Sequence, residues 1–353
     1  AGQPSRARTI AEGITIAGLT FLEGVRAGLF QVMEKDPNAI LLGEDILDPY
    51  GGAFKVTKGL STKFPQRVFT TPISEASIAG LTVGMALRGM RPIAEFMFGD
   101  FITLAADQIV NHAAKYIGMY GDQMKLPMVL RTPVGGGRGY GPTHSQSLEK
   151  MFLGLPMFHI LAPSHFVHPG EILVQAISGS YPTLFLENKL LYPEVLKLEQ
   201  HIGVINRTVH FDEHNYPVVV LSNFPDKRKA DIAIVAYGGI SRLLGPVLNQ
   251  LAQEEIWITA CLPVSLSPLP IKLIQATTEG IKKILVIEEA SPAFGWGSEV
   301  SAALYDAHAG QLDGPILRIG AANSVIPASK PLEEKVIVSE EKILSAVFEV
   351  MAW

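Results

Sequence analysis

Short runs of consecutive apolar residues alternate along this chain with longer stretches in which apolar residues recur every three or four positions. The first rhythm predicts buried strands and the second predicts helices with one face in a core. Thr20–Glu34 shows helical spacing, and Thr20 with Glu23 three residues later forms the signature of a capping box. Ala39–Leu42 and Val68–Thr70 read as strands, followed by a helix over Glu75–Arg88 that is rich in small residues. Pro92–Phe96 predicts a strand, Phe101–Met119 a helix and Met128–Arg131 a strand that runs into a glycine-rich loop, Gly135–Gly141. Thr183–Glu187 closes this region. Strands alternating with helices imply an α/β fold with a largely parallel sheet.

Between about residues 200 and 230 the rhythm breaks, and Pro217–Leu221 there suggests one arm of an extra hairpin. It resumes at Asp231. Strands are expected over 232–237, 257–262, 283–288 and 316–319, with helices over 241–254, 271–279, 297–308 and 339–351. The expected organisation is therefore a disordered leader at 1–15, a first doubly wound domain at 16–200, a linker with an extra hairpin at 201–230, and a second doubly wound domain at 231–353.

Composition narrows the possible functions. With 353 residues, 48% of them hydrophobic, the chain can build two sizeable cores. Its formal charge of -5 argues against nucleic acid as a main partner, because phosphate binding needs a basic face. No apolar run approaches the ~18 residues of a membrane helix. The single cysteine, Cys261, allows no internal disulfide and reads as a small buried apolar residue in a reducing compartment. A cytoplasmic location is the simplest account, with a processed protein of an organellar matrix as the alternative.

Two segments carry candidate chemistry. In Thr71-Pro72-Ile73-Ser74-Glu75, the proline keeps Thr71 out of a helix and Ser74 is placed to cap the next one. Glu75 then stands at a helix start just after a strand end, where open α/β sheets bind ligands. Spacing alone leaves two roles open for it: a ligand group, or a carboxylate that complements the helix dipole. The run Gly135-Gly136-Gly137-Arg138-Gly139-Tyr140-Gly141 can approach a ligand closely, yet it matches neither the dinucleotide nor the Walker fingerprint. His144, just before an expected helix, is a candidate acid, base or anion contact, or a capping histidine of a surface turn. His159, His165 and His168 lack zinc spacing and read as loop histidines. Phe294-Gly295-Trp296-Gly297 reads as a subunit contact or as a turn packed on its own sheet.

Five strings occur in order: LLGEDI from Leu41, GGAFKVTKGL from Gly51, TPISEASIAGLTVGMALRGMRPIAEFM from Thr71, DFITLAADQIVNHAAK from Asp100, and GGGRGYGPTHSQSLE from Gly135. In these the chain resembles the β subunit of the thiamine-diphosphate-dependent decarboxylating component of 2-oxo acid dehydrogenase complexes, of the pyruvate and branched-chain type. The resemblance implies a transketolase-like pyrimidine-binding domain followed by a transketolase C-terminal domain. It also implies that Glu75 meets the ring nitrogen of the cofactor's aminopyrimidine, that Phe101 lines or stacks on that ring, that Ile73 and Met97 line the pocket, and that His144 acts around decarboxylation and acyl transfer. A carboxyl group on that nitrogen favours the tautomer whose 4′-nitrogen can take the thiazolium proton. The cofactor supplies the electron sink and the protein supplies position and polarity.

The family holds the diphosphate and Mg2+ through a Gly-Asp-Gly string, which this chain lacks. Gly121-Asp122-Gln123 is the nearest approach. The resemblance therefore implies half a site, completed by an α subunit in an α2β2 assembly that delivers acyl groups from a small 2-oxo acid to a lipoyl acyltransferase core. A structural K+ would map to the carbonyls of Met128, Ala176 and Ile177, although Gly179 stands where an acidic residue is expected. The family's Arg is also missing from Leu262–Leu269, and the 205–230 segment is longer than usual. Two alternatives fit the same residues: a thiamine-dependent carboligase or acyl donor of a specialised pathway, and a catalytically silent β-like subunit.

Overall fold

The structure, a computed structural model, describes residues 18–224 and 228–353. The leader expected over 1–15 lies outside the described residues. Two seven-stranded sheets organise the described residues. The first contains β1 (Ala39–Gly43), β2 (Val68–Thr70), β3 (Arg91–Glu95), β4 (Val129–Val134), β5 (His159–Leu161) and β6 (Thr183–Asn188). The second contains β7 (His201–Ile202), β8 (Ile205–Phe211), β9 (Pro217–Ser222), β10 (Ile232–Ala236), β11 (Ile258–Pro263), β13 (Ile284–Ile287) and β14 (Leu317–Ile319). The remaining strand, β12 (Ser265–Ser267), follows β11 in the chain but crosses over to pair antiparallel with β5 at the edge of the first sheet. The two halves are thus stitched by backbone hydrogen bonds as well as by side chains.

The first sheet has the order β12-β5-β6-β4-β3-β1-β2, parallel apart from β12. Apart from the edge strand β2, where Phe69 and Thr70 are exposed, its strands are buried on both faces, which explains their apolar runs. From β1 the chain moves outward to β2, then returns past β1 to β3. That reversal opens a crevice at the carboxyl ends of β1 and β3, the position where sheets of this kind bind ligands. The second sheet is parallel across β14-β13-β10-β11 and continues antiparallel through β9, β8 and β7. Residues 201–222, expected as linker and hairpin, thus build three strands of the second sheet.

α1 (Phe21–Lys35) has the expected capping box: the Thr20 hydroxyl accepts from the Glu23 amide and the Glu23 carboxylate accepts from the Thr20 amide. α1 lies against α5 (Pro169–Ser178) at a glycine contact, where a Cβ on Gly28 would fall 2.5 Å from Gly170 Cα. α3 (Glu75–Leu87) is preceded by α2 (Leu60–Lys63). The helix expected over Phe101–Met119 is not uniform. It opens as a 3-10 helix (Gly99–Ala105), widens to a π-helix (Gln108–Ala113) and ends as α4 (Ala114–Met119). Its first turn is pressed onto the end of β4, where a Cβ on Gly99 would meet Val134 Cγ1 at 2.6 Å, and Thr103 Oγ1 donates to the Asp100 carbonyl. The second half adds α6 (Ser241–Gln253), α7 (Ile271–Thr278), α8 (Trp296–His308), α9 (Lys330–Val336) and α10 (Glu340–Met351). Among the described residues no helix is long and apolar enough to cross a membrane.

Candidate active site

The carboxyl ends of β1, β2, β3, β4 and β6 lie along one edge of the sheet; polar or aromatic side chains follow four of them and the glycine-rich loop follows β4. After β1 comes Glu44, buried at 5% exposure, with Oε1 left without a partner among the described residues. Burial, then the negative charges of Glu75 and Asp45, push its carboxyl up from the ordinary value. After β2 the Thr71–Ser74 turn delivers Glu75 as the first residue of α3, also 5% exposed. The cap differs from expectation. Ser74 occupies the N-cap position, but its hydroxyl donates to Ser77 Oγ at 2.9 Å instead of accepting from the helix. Among the described residues the Glu75 carboxylate has no hydrogen-bond partner. This buried acid, with Glu44 beside it in charge, is free to engage a donor or a ring nitrogen.

Beyond β3 lie Met97 and Phe98, both partly buried, and then Phe101 in the 3-10 turn. The His144 ring sits 4.6 Å from Phe98 and 5.1 Å from Phe101, edge-on to both. Thr143 Oγ1 lies 2.9 Å from its Nδ1. Phe98, which sequence reasoning passed over, is the hub of this cluster and also meets Phe54, Phe101 and Tyr140. The helix expected just after His144 does not form. Residues 142–148 are turns and extended chain, and the next helical turn is Glu149–Met151. Ile73 is 82% exposed on the Thr71–Ser74 turn, so in this chain alone it borders solvent.

Behind the crevice a buried charge network spans three strands. Arg131 of β4 is fully buried; Nε donates to Glu187 Oε1 at 2.8 Å and Nη2 to Glu187 Oε2 at 2.6 Å, while Nη1 pairs with Glu95. Tyr192 donates to Glu187 Oε2 at 2.8 Å. One guanidinium serves two carboxylates, and burial holds the Glu95 carboxyl above its ordinary value although Arg131 opposes the shift. Lys189, after β6, is also fully buried; it donates to the His144 carbonyl at 2.8 Å, and burial pulls its pKa down to about 8.

The glycine-rich loop alternates in backbone hand, with positive φ at Gly135, Gly137, Gly139 and Gly141. Its amides do not face an open ligand space: those of Gly137 and Gly139 donate to the two carboxylate oxygens of Glu333, in α9 of the second half, at 2.7 and 2.8 Å. Glu289 makes a second bridge, accepting from Ser147, Asn188 and the Gly239 amide. A cavity of about 400 Å³ opens between the loop and the second half, lined by Gly136, Ser147, Asn188, Arg242, Glu289 and Asn323 among others; neither Glu75 nor His144 lines it.

The other marked residues fall elsewhere. Met128, Ala176 and Ile177 lie toward the amino ends of the strands, away from the crevice. The Met128 carbonyl accepts from the Thr183 amide, Ala176 from the Gly179 amide, and Ile177 from Arg91 Nη1 at 2.6 Å. His159 lies near Tyr216 and His214, His165 Nδ1 is 3.1 Å from Ser241 Oγ, and His168 caps α5 by accepting from the Glu171 amide. Trp296 is buried against Tyr237, whereas Phe294 is 96% exposed. Cys261 is buried in β11. Among the described residues no group of three or more His, Cys, Asp or Glu side chains is placed to hold a metal ion.

A parallel sheet with its acids at the switch point, coupled to a second α/β half, defines a transketolase-like protein, and both halves match accordingly. Residues 17–195 match the family described as "Transketolase, pyrimidine binding domain", and residues 225–343 match "Transketolase, C-terminal domain". The acetoin:2,6-dichlorophenolindophenol oxidoreductase subunit beta of Cupriavidus necator is 32% identical over 93% of this chain and 96% of that protein. The mitochondrial pyruvate dehydrogenase E1 component subunit beta of Saccharomyces cerevisiae is 31% identical over 99% and 93%. A solved structure titled "Split gene transketolase, inactive beta4 tetramer" shares the fold, with a TM-score of 0.68 at 20% identity over 95% of this chain and 99% of that one. The chain belongs to the transketolase-like family of dehydrogenase E1 β subunits.

Proposed function

We propose that this chain is the β subunit of a heteromeric 2-oxo acid dehydrogenase and contributes the pyrimidine-binding half of a thiamine diphosphate site. The observation that carries this reading is the buried Glu75 carboxylate at the switch-point crevice, without a hydrogen-bond partner among the described residues and coupled in charge to Glu44. An aminopyrimidine fits such a place because its ring nitrogen can share a proton with a carboxyl group. Met97 and Phe101 would line that ring, with Ile73 at the rim where an α subunit would cover it. When bound, the cofactor supplies the electron sink for decarboxylation.

This chain's residues have definable tasks. Glu75 holds or yields a proton at one oxygen, and its burial limits competition from bulk water. His144, steadied by Phe98 and Phe101, offers an imidazole that can give or take a proton during transfer of the acyl fragment to a lipoyl group. The diphosphate and Mg2+ are assigned to the α subunit in an α2β2 assembly, and a lipoyl acyltransferase core is the proposed acceptor. The three carbonyls considered for K+ each accept from a protein donor, that of Ile177 from the cationic Arg91, and the reading of the active site does not depend on K+. A cytoplasmic setting is proposed on the strength of the single cysteine.

Because two relatives are named as acetoin oxidoreductase β subunits, a second reading is that the substrate is an α-hydroxy ketone such as acetoin. One experiment addresses both. The chain is co-expressed with its α partner and given thiamine diphosphate, Mg2+ and a dye acceptor, with pyruvate, branched 2-oxo acids or acetoin as substrate. Turnover with 2-oxo acids and not acetoin supports the first reading, and the reverse supports the second. Failure of Glu75→Gln to reduce either activity rejects the role given to Glu75.

A further inference from the structure

We infer that Glu333 is a positioning residue for His144, acting through the glycine-rich loop. The inference rests on the role proposed for His144. Alternating backbone hand with successive amides turned inward makes an anion-binding nest, and such nests usually receive phosphate. Here the anion is internal. The Glu333 carboxylate, 1% exposed, spans the amides of Gly137 and Gly139, almost two hundred residues away in sequence.

The loop is held at other points as well. Gly135 N donates to the Gln146 carbonyl and closes its base, while Gln146 Nε2 donates to Asp100 Oδ1. The Ala328 carbonyl would lie 3.1 Å from a Cβ on Gly139, so the second half presses directly on the loop. Arg138 Nη2 donates to the Lys189 carbonyl, and Lys189 Nζ donates to the His144 carbonyl. Glu333 is the only one of these groups that comes from the second half and binds the loop's own amides through a full charge. Charge-assisted hydrogen bonds are the stronger kind, so its removal should release the turn that sets where His144 stands.

The nest is therefore filled, and it is a latch between the two halves and not a phosphate site. This accounts for a loop that looks like a phosphate cradle in the sequence yet matches no nucleotide fingerprint.

The test uses the complex with the α partner and the variants Glu333→Ala, Glu333→Gln and Glu333→Asp. Arg138 lies inside the latched turn and gives a tryptic site there. Cleavage after Arg138 should be at least ten-fold faster in Glu333→Ala than in wild type. kcat should fall about ten-fold while KM for the substrate and half-saturation by thiamine diphosphate stay within two-fold. Glu333→Asp should recover part of both effects. If Glu333→Ala misfolds, Glu333→Gln, which keeps the shape and loses the charge, carries the test. Unchanged cleavage after Arg138 together with unchanged kcat overturns the inference. So does a loss of kcat that melting temperature tracks across all three variants with no new cleavage. If His144→Ala retains full turnover while Glu333→Ala still opens the loop, the reading of His144 fails and the latch stands.

Discussion

Glu44 and Glu75 share one buried corner of the crevice, and the charge of Glu75 adds to burial in holding the Glu44 carboxyl above its ordinary value. A bound group that brings a hydrogen-bond donor or a positive charge into this corner would ease the strain on the Glu44 carboxyl. Glu75→Gln keeps the volume and removes the exchangeable proton. Turnover of the assembled enzyme should fall at least ~100-fold, the scale of lost acid-base catalysis. The melting temperature should stay within about 3 °C, the shift expected from ~1 kcal/mol. Wild-type turnover in the variant would remove Glu75 from the mechanism.

Arg131 makes a sharper claim about stability. It is fully buried between Glu187 and Glu95, and replacing it with Met would leave two carboxylates without a counter-charge. Breaking a buried pair from one side costs about 3–5 kcal/mol. Arg131→Met should therefore lower the denaturation midpoint substantially, whereas Arg131→Met combined with Glu187→Gln and Glu95→Gln should recover part of the loss. Urea melts of the three proteins measure this; a single variant as stable as wild type contradicts it.

Much of the frame was legible in the sequence because local signals and burial agree there. Thr20 with Glu23 announced α1, and the apolar run at Ala39 announced β1. Glu75 was legible as a helix-start acid after a strand. What could not be read were relationships set by tertiary contact. β12 is three residues long and makes sense only once β5 is beside it. Residues 201–222 looked like linker because antiparallel strands with one exposed face lack the apolar runs of the parallel strands. Glu44 was visible at the end of β1, but nothing local marked it as coupled to Glu75. Glu333 and Gly137 are distant in sequence, and no spacing rule links them. Phe98 stood next to a recognised residue and was missed because its partners, Phe54 and Tyr140, come from other segments.

The contact between α1 and α5 tests whether small residues there are required. Each glycine faces the backbone of the other helix: a Cβ on Gly28 would fall 2.6 Å from the Gly170 carbonyl oxygen, and one on Gly170 would fall 2.2 Å from the Gly24 carbonyl oxygen. No rotamer relieves a backbone contact, so the helices must separate. Gly28→Ala should lose about 1–3 kcal/mol by overpacking, although alanine is the better helix former by ~1 kcal/mol. An increase in melting temperature would show that the contact yields more easily than its geometry implies.

Glu149 links pH to the joint between the two halves. It is 1% exposed in the first half, accepts from the Tyr237 hydroxyl of the second at 2.5 Å, and leaves Oε2 without a partner among the described residues. Burial, followed by the charges of Glu289 and Glu288, pushes its pKa up to about 7, while the Tyr237 hydrogen bond opposes the shift. With the folded value raised above the unfolded one, the folded chain holds the extra proton between about 4.5 and 7. The stability this contributes is complete below the lower value and is lost as pH rises through the upper one. Glu149→Gln is neutral at every pH and still accepts from Tyr237. The variant should thus gain on wild type as pH rises from 5 to 8, by up to on the order of 3 kcal/mol. Titrating groups not coupled to Glu149, including the buried His159 and His165, cancel in the difference, whereas Glu288, Glu289 and Tyr237 respond to the loss of its charge and belong to the same gain. Parallel curves of melting temperature against pH for the two proteins would mean that Glu149 is already ionised in the fold and that its second oxygen finds a partner in solution.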